Sequence, residues 1–511
     1  MQKVHKMTRS LKLLGAAVLT LTVATASARS FTRYSSSQKD GFWIKSKMQS
    51  VVSGETRQTN SGTPNVLRLS AGDGSLAIVT FKGWGTCFNE LGWDALQSLP
   101  EEKREELLKR IFAPDGDLRY THGRISLGAN DYARGWYSAS EVAGDFKLEY
   151  FDMARDLSTI IPYIHAAQKH NPHLWFWCSP WSPPAWMKIN QDYPVLSSMY
   201  NEMDSRINYL LHMDSTARTS RNKFPERVAS QDYMILDPRY LKSYADYFCR
   251  YIEEFGRNGI PIKRVMYQNE AYSYTSYPGC PWTPKGAALF NGEYLGPALK
   301  AKHPDVELYL GTINTNRFDE VDNILSDPHI AGKDLFTGIG FQWEGSQIIA
   351  DVRQKYPHLK VVQTESECGD GRFDWRGAEH TFAVIADYLG NGCEEYTFWN
   401  VILSDDGRSA WNWRQNALIR VNSKEKTAEL TPEYYAVMHY SHFVTAGTKL
   451  LNAVSGRFGP ASGAVFLTPE GKYVVVAANR SDGEIPLTVE FGKDTLDVVL
   501  PPHSMHTFAE D

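Results

Sequence analysis

Six cysteines among 511 residues, Cys87, Cys178, Cys249, Cys280, Cys368 and Cys393, stand far apart and form no C-x-x-C pair. That spacing argues against a zinc centre and against a scaffold built on disulfides. An oxidising compartment leaves room for one or two bridges, with isolated buried thiols the expectation. Other chemistries lack their signatures too. There is no G-x-x-x-x-G-K, no G-x-G-x-x-G after a strand, no G-x-S-x-G and no H-E-x-x-H, which disfavours nucleotide-binding, serine-hydrolase and zinc-protease readings. The 14 histidines are dispersed; a lone one such as His122 reads as a core residue rather than a ligand. No long block of one charge sign occurs, and 54 basic residues against 59 acidic ones give a net charge of −5. A nucleic-acid partner is therefore excluded and an uncharged one expected. Internal repeats and low-complexity tracts are absent.

The composition itself is that of a packed globular protein. Apolar residues make up 42% and aromatics 13%, far above a disordered or fibrous chain. At this length at least two packed units are expected. Lys3, Lys6, Arg9 and Lys12 precede an apolar run over 13–24, which ends in Ala26, Ser27 and Ala28. The run is too short to span a bilayer, so 1–28 reads as a signal peptide, and its removal leaves a more acidic chain. No cysteine lies near the cleavage point and no later apolar run reaches about 18 residues. The expectation is an exported, soluble, periplasmic or extracellular monomer with no lipid anchor and no integral membrane contact.

From about residue 77, short β-rich runs alternate with helical patterns, the order expected of parallel strands joined by crossover helices. Eight runs can be counted, at 77–84, 121–126, 174–179, 264–270, 306–312, 337–343, 360–365 and 395–401. Helical patterns fall at 101–112, 157–170, 240–255, 287–300, 347–356, 379–389 and 432–443. Eight strands suggest closure into a (β/α)8 TIM barrel over 76–444. The polar stretch 188–237 is too long for a simple connection and reads as a functional loop. After 444 the helical signal stops and short strands alternate with turns, which suggests a side β-sandwich over 445–511, joined by N-terminal strands from 29–75.

In such a barrel the active site lies at the carboxyl ends of the strands. Glu270 ends the fourth run and Glu365 the seventh, so the two acids should face each other across the barrel mouth. A carboxyl pair with one member neutral and the other ionised is what glycosidic bond cleavage needs. Trp84, Trp181, Trp343, Trp399, Trp411 and Trp413 fall at or just after strand ends, where flat rings can stack on sugars while their N–H groups bond hydroxyls. Arg124 and Asp131 can hold a hydroxyl and orient a carboxylate. Asn269 is placed to donate to a sugar 2-hydroxyl. Together these favour a carbohydrate substrate.

The stretches GWGTCF at 83–88, RISLGAND at 124–131, SPWSPPAW at 179–186, QNE at 268–270 and QTE at 363–365 together resemble glycoside hydrolase family 30, which includes glucosylceramidases and β-1,6-glucanases. The likeness runs over nearly all of the chain after residue 28, with the motifs in family order. It implies a barrel fused to a side β-sandwich, a retaining mechanism, and no metal or organic cofactor. By the same resemblance Glu270 is the general acid/base and Glu365 the nucleophile. Arg124, Asp131, Trp181, Asn269, Trp399 and Asn416 then line a glucose subsite, with Trp343 a further substrate contact. Gln342 and Glu344 depart from the pattern, standing where glucosylceramidase-like members carry His and Tyr. Glu344 and Glu367 are additional acids near the nucleophile, and an unbalanced one would raise its pKa. The expected activity is endo-cleavage of β-1,6-glucan. β-Glucosidase or glucosylceramidase action, xylan hydrolysis and a non-catalytic sugar-binding barrel stand as the alternatives.

Overall fold

A computed structural model of the chain describes residues 29–49, 51–52, 66–72, 76–201, 203, 229–454 and 457–511. The expected signal peptide, 1–28, lies outside the described residues, as do residues 202 and 204–228 of the 188–237 stretch.

Eight parallel strands form the barrel: β1 Gly83–Phe88, β2 His122–Ser126, β3 Trp175–Ser179, β4 Ile262–Met266, β5 Glu307–Ile313, β6 Gly338–Gln342, β7 Lys360–Glu365 and β8 Glu395–Phe398. From β1 to β7 each pairs with the next in the chain, and β8 pairs with β1. The seam between β7 and β8 is closed by the Glu394 N–H donating to the Val361 carbonyl at 2.8 Å and the Thr397 N–H donating to Gln363 Oε1 at 2.6 Å.

Side chains alternate along a strand, so residues two apart share the barrel interior. Near its floor the Arg264 guanidinium donates to both oxygens of Glu395, at 2.7 and 3.0 Å, and lies over Tyr309 at 4.0 Å and Trp175 at 5.0 Å. His122 reaches across to Thr397 Oγ1 at 3.0 Å, and burial lowers its pKa to about 4. It is the core histidine expected. Above this level Trp177, Met266, Tyr309 and Val362 pack together as an apolar layer.

The helix Glu101–Phe112 follows from its sequence. Glu101 and Glu102 lie in its first turn and Lys109 and Arg110 in its last, complementing the helix dipole, while Leu107, Leu108, Ile111 and Phe112 are buried. Several elements differ from expectation. The run at 77–84 is not the first barrel strand. Val79–Thr80 instead pairs with Lys449 and Leu450 at the edge of the sandwich, and β1 begins at Gly83. A Cβ at Gly85 would run into the His122 ring, which is why this strand is glycine-rich rather than β-branched. Trp84 therefore lies at the start of its strand, with Nε1 donating to the Val444 carbonyl at 2.7 Å. It is a core residue and not a mouth residue. The pattern at 157–170 is two helices, Ala154–Ser158 and Ile160–Gln168, broken at Thr159. Glu90–Gln97 and Phe318–Leu325 are further helices, too short for periodicity to mark.

The side β-sandwich is built from both ends of the chain. In one sheet Ser30–Ser37 lies between Gly41–Gln49 and Ser504–Glu510, followed by Tyr473–Asn479, Ala461–Leu467 and Lys449–Val454; the other sheet holds Leu67–Ser70, Ile485–Phe491 and Asp494–Leu500. The period of two divides Tyr473–Asn479 between two cores. Val475 and Ala477 face the second sheet, while Val474, Val476 and Ala478 join the barrel's core. His439, on the helix Pro432–Ser441, bridges the units by bonding Thr507 Oγ1 and Ser36 Oγ, each at 2.9 Å. All six cysteines are buried and unbridged.

Removing one partner of a buried ion pair strands the other charge away from water. Arg264→Met is therefore expected to destabilise the protein by about 3–5 kcal/mol, read as a lowered midpoint in urea unfolding.

Candidate active site

Arg124, in the middle of β2, is wholly buried. Its guanidinium lies over the rings of Trp181 at 4.3 Å, Trp177 at 4.9 Å and Trp399 at 5.6 Å. Its N–H groups donate to Glu365 Oε2 at 2.7 Å, Asn269 Oδ1 at 2.6 Å, Ser179 Oγ at 3.0 Å and the Thr364 carbonyl at 3.2 Å. β2 and β7 are not neighbours, so this arginine crosses the barrel to reach the carboxylate.

Glu365 is the last residue of β7. Its other oxygen accepts the indole N–H of Trp343 at 3.1 Å. Burial, together with the charge of Glu270, pushes its pKa up to about 7, against the pull of Arg124 and the Trp343 hydrogen bond. Glu270 follows β4 with a left-handed backbone, φ 49°, and its N–H donates to Thr312 Oγ1 at 3.2 Å. The Gln342 amide donates to Glu270 Oε1 and to Asn269 Oδ1, both at 3.2 Å, while its own oxygen accepts from Thr364 Oγ1 at 2.9 Å. A chain of hydrogen bonds thus runs from Glu365 through Arg124, Asn269 and Gln342 to Glu270. Trp343, directly after β6, is also left-handed at φ 48°. Non-glycine residues held this way cost about 1–3 kcal/mol and cluster at functional sites.

Asp131 is buried beside the pair. Burial first, then the charges of Glu365 and Glu270, hold its carboxyl well above the usual range, and its Oδ1 has no hydrogen-bond partner among the described residues. The same holds for the indole N–H of Trp399, whose ring stacks on Trp181 with centroids 5.1 Å apart. One acceptor and one donor, both buried and unpaired, are what a bound hydroxyl array would satisfy.

The structure therefore gathers Glu270, Glu365, Arg124, Asn269 and Trp343 into one hydrogen-bonded cluster, with Trp181 and Trp399 stacked against the arginine and Asp131 beside the two acids. Asn416 is held differently: its Oδ1 accepts from the Phe373 N–H at 3.1 Å and it bonds the buried Glu433, so its contacts are with the loop beyond β7. Trp411 packs on Trp136 at 4.5 Å, and Trp413 lies 6.4 Å from Tyr277 and is exposed. Glu367 is diverted from Glu365 by His380, at 2.8 Å, and Arg457. Ser179 and Thr312 carry no sequence signal of their own, and only the fold brings them in. Among the described residues no three His, Cys, Asp or Glu side chains converge as metal ligands would, and no helix is long and apolar enough to cross a membrane.

Similarity to known proteins runs through both units. The chain is 24% identical to the lysosomal acid glucosylceramidase of Mus musculus over 505 residues, 94% of this chain and 88% of that protein. It is 22% identical to an endo-1,6-β-D-glucanase of Aspergillus fumigatus over 504 residues, 93% of each. The fold is shared with SrfJ from Salmonella typhimurium, at a TM-score of 0.77 and 20% identity, over 94% of this chain and 99% of that one. It is shared also with the endo-β1,6-glucanase BT3312, at 0.72 and 19%, with the same coverage. The glycosyl hydrolase family 30 TIM-barrel domain matches residues 81–206 and 234–444, and that family's β-sandwich domain matches 463–508. With both units matched in the order the fold has them, the chain belongs to glycoside hydrolase family 30.

Proposed function

We propose that this glycoside hydrolase is exported and cleaves internal bonds of β-1,6-glucan by double displacement, with Glu365 as nucleophile and Glu270 as general acid/base. The observation that carries this reading is the unequal surroundings of two linked carboxyls. Glu365 accepts a guanidinium N–H on one oxygen and an indole N–H on the other, whereas among the described residues the Glu270 carboxyl accepts the neutral Gln342 amide. A guanidinium and an indole N–H favour the charged form of Glu365, the form a nucleophile needs, while the role of general acid requires the proton on Glu270.

From that state the chemistry follows. Glu365 attacks the anomeric carbon while Glu270 gives its proton to the leaving oxygen, and a covalent glycosyl-enzyme forms. Glu270, now ionised, takes a proton from water, and the intermediate is hydrolysed with retention. Arg124 and Trp343 favour the charged form of Glu365 before attack, and as the ester forms Arg124 loses a charge–charge contact. Asp131 Oδ1 and the Trp399 N–H supply partners for the hydroxyls of the glucosyl unit.

Polysaccharide is supported by the basic-then-apolar segment at 1–28, which reads as an export signal, and by similarity over 93% of the chain to an endo-1,6-β-D-glucanase. Similar identity to a glucosylceramidase supports glucosidase action as the second reading.

Chromatography of products over time on β-1,6-glucan, beside β-1,3-glucan, xylan and glucosylceramide, separates these. Mixed oligosaccharides appearing early from β-1,6-glucan alone are expected; free glucose from short glycosides or from glucosylceramide only would move the protein to the glucosidase branch. Glu365→Gln should lower turnover by at least about a thousandfold, and near-normal rates would refute its role. Glu270→Gln should slow the enzyme about a hundredfold or more on substrates with poor leaving groups and much less on aryl glycosides. Because a nearby cation lowers a carboxyl pKa, Arg124→Gln is expected to move the acid limb of kcat/KM to higher pH by about one to three units, checked by pH–rate profiles.

A further inference from the structure

Among the described residues of the β-sandwich, Arg457 reaches the loops beside Glu365. Arg457 lies on the connection between the sandwich strands Lys449–Val454 and Ala461–Leu467. Arg480 fixes this connection by donating to the Arg457 carbonyl at 3.1 Å and to the Gly459 carbonyl. The Arg457 guanidinium then donates to Ser346 Oγ at 2.7 Å and to Glu367 Oε1, with Asp387 Oδ2 at 3.8 Å.

The two main acceptors belong to different barrel loops. Ser346 is in the turn Trp343–Ile348, which follows β6, and Glu367 is two residues beyond Glu365 at the end of β7. Trp343, at the head of that turn, is the residue whose indole N–H meets Glu365 Oε1. Its left-handed backbone is unfavourable for a tryptophan and persists only where neighbours over-determine it. The Tyr388 hydroxyl supplies one tether, donating to the Trp343 carbonyl at 3.3 Å. Arg457 supplies the other, joining Ser346 of this turn to Glu367, two residues beyond Glu365. Burial opposes ionisation of Glu367, yet the His380 hydrogen bond and the Arg457 charge hold its carboxyl below the usual range, so the acceptor on the β7 side is charged.

We infer that Arg457, a residue of the β-sandwich, is a positioning residue for the nucleophile: by clamping Ser346 and Glu367 together it holds the Trp343 indole against Glu365. The inference rests on the proposed role of Glu365. The groups that face the clamp are His380, Asp387, Tyr388 and Tyr396. Those that face Glu365 are Arg124, Glu270, Asp131, Cys87 and Cys368. None of the latter touches Arg457, so a change at Arg457 reaches Glu365 through Trp343.

The test is the pH–rate profile of Arg457→Met on the substrate identified for the wild type. Loosening the indole removes one of two donors that favour the carboxylate. The acid limb of kcat/KM should therefore rise by about half a pH unit or more, and kcat should fall about tenfold. Trp343→Phe should move the limb the same way, and the double variant should move it no further than the larger single change, since both act through one hydrogen bond. Arg457→Lys, which keeps the charge without the fork, should recover part of the loss. If Arg457→Met does not fold, Glu367→Gln weakens the clamp at its other end and should shift the limb in the same direction. A lowered Tm with an unmoved acid limb, or additive effects of Arg457→Met and Trp343→Phe, would overturn the inference. An active Glu365→Gln would instead overturn the nucleophile assignment, so the two failures are distinguishable.

Discussion

A guanidinium taken wholly out of water is the constraint on which the site depends. Isolated, the Arg124 charge would be prohibitively expensive inside a barrel, so its surroundings are arranged around it. Its N–H groups meet a carboxylate, an amide oxygen, a hydroxyl and a carbonyl, and three indole faces surround it. The indoles serve because aromatic faces tolerate a cation without competing for its hydrogen bonds. The acceptors come from β3, β7 and the loop after β4, so satisfying one side chain fixes the relative placement of three sectors of the barrel. The charge it imposes on Glu365 is thereby tied to the integrity of the fold.

The same device recurs one level down. Arg264 is paired with Glu395 near the floor, and between the two arginines lies the layer of Trp177, Met266, Tyr309 and Val362. Trp177 lies under Arg124 and Tyr309 lies over Arg264. The interior therefore alternates cation, aromatic, aromatic, cation along the barrel axis. Each guanidinium keeps its own carboxylate, and the apolar layer separates the two pairs. The lower pair lies in the barrel interior, while the upper one joins the hydrogen-bonded cluster around Glu270.

Much of this was legible in the chain, and what was not has physical causes. Strand runs such as 360–365 are strongly β-branched and end in an acid, so both the element and its functional terminus could be read. The first barrel strand could not, because glycines required by close packing against His122 removed the β-branched signal while the neighbouring run at 79–80 belonged to another sheet. The two acids, Arg124 and the stacked tryptophans sit in motifs whose residue types declare their chemistry. Asn416 was read from resemblance alone, and its contacts turn out to be with the loop at 373 and with Glu433. Gln342 appeared as a departure from the glucosylceramidase pattern; that its amide spans Asn269 and Glu270 is a matter of strand register, which sequence does not print. Ser179, Thr312 and Arg457 are ordinary residues until the fold brings distant segments together.

The placement of Ser30–Ser37 between Gly41–Gln49 and Ser504–Glu510 has a consequence for how the protein is made. The hairpin can form early, but its inner strand acquires its second neighbour only when Ser504–Glu510 has been made. Until then one edge of that strand, with its row of unpaired N–H and carbonyl groups, stays open to foreign strands. A barrel of more than 300 residues intervenes in the chain, so the interval is long on the timescale of synthesis. The sandwich thus closes after the barrel has been made, and chains that stop short of Ser504 leave that edge of Ser30–Ser37 uncovered.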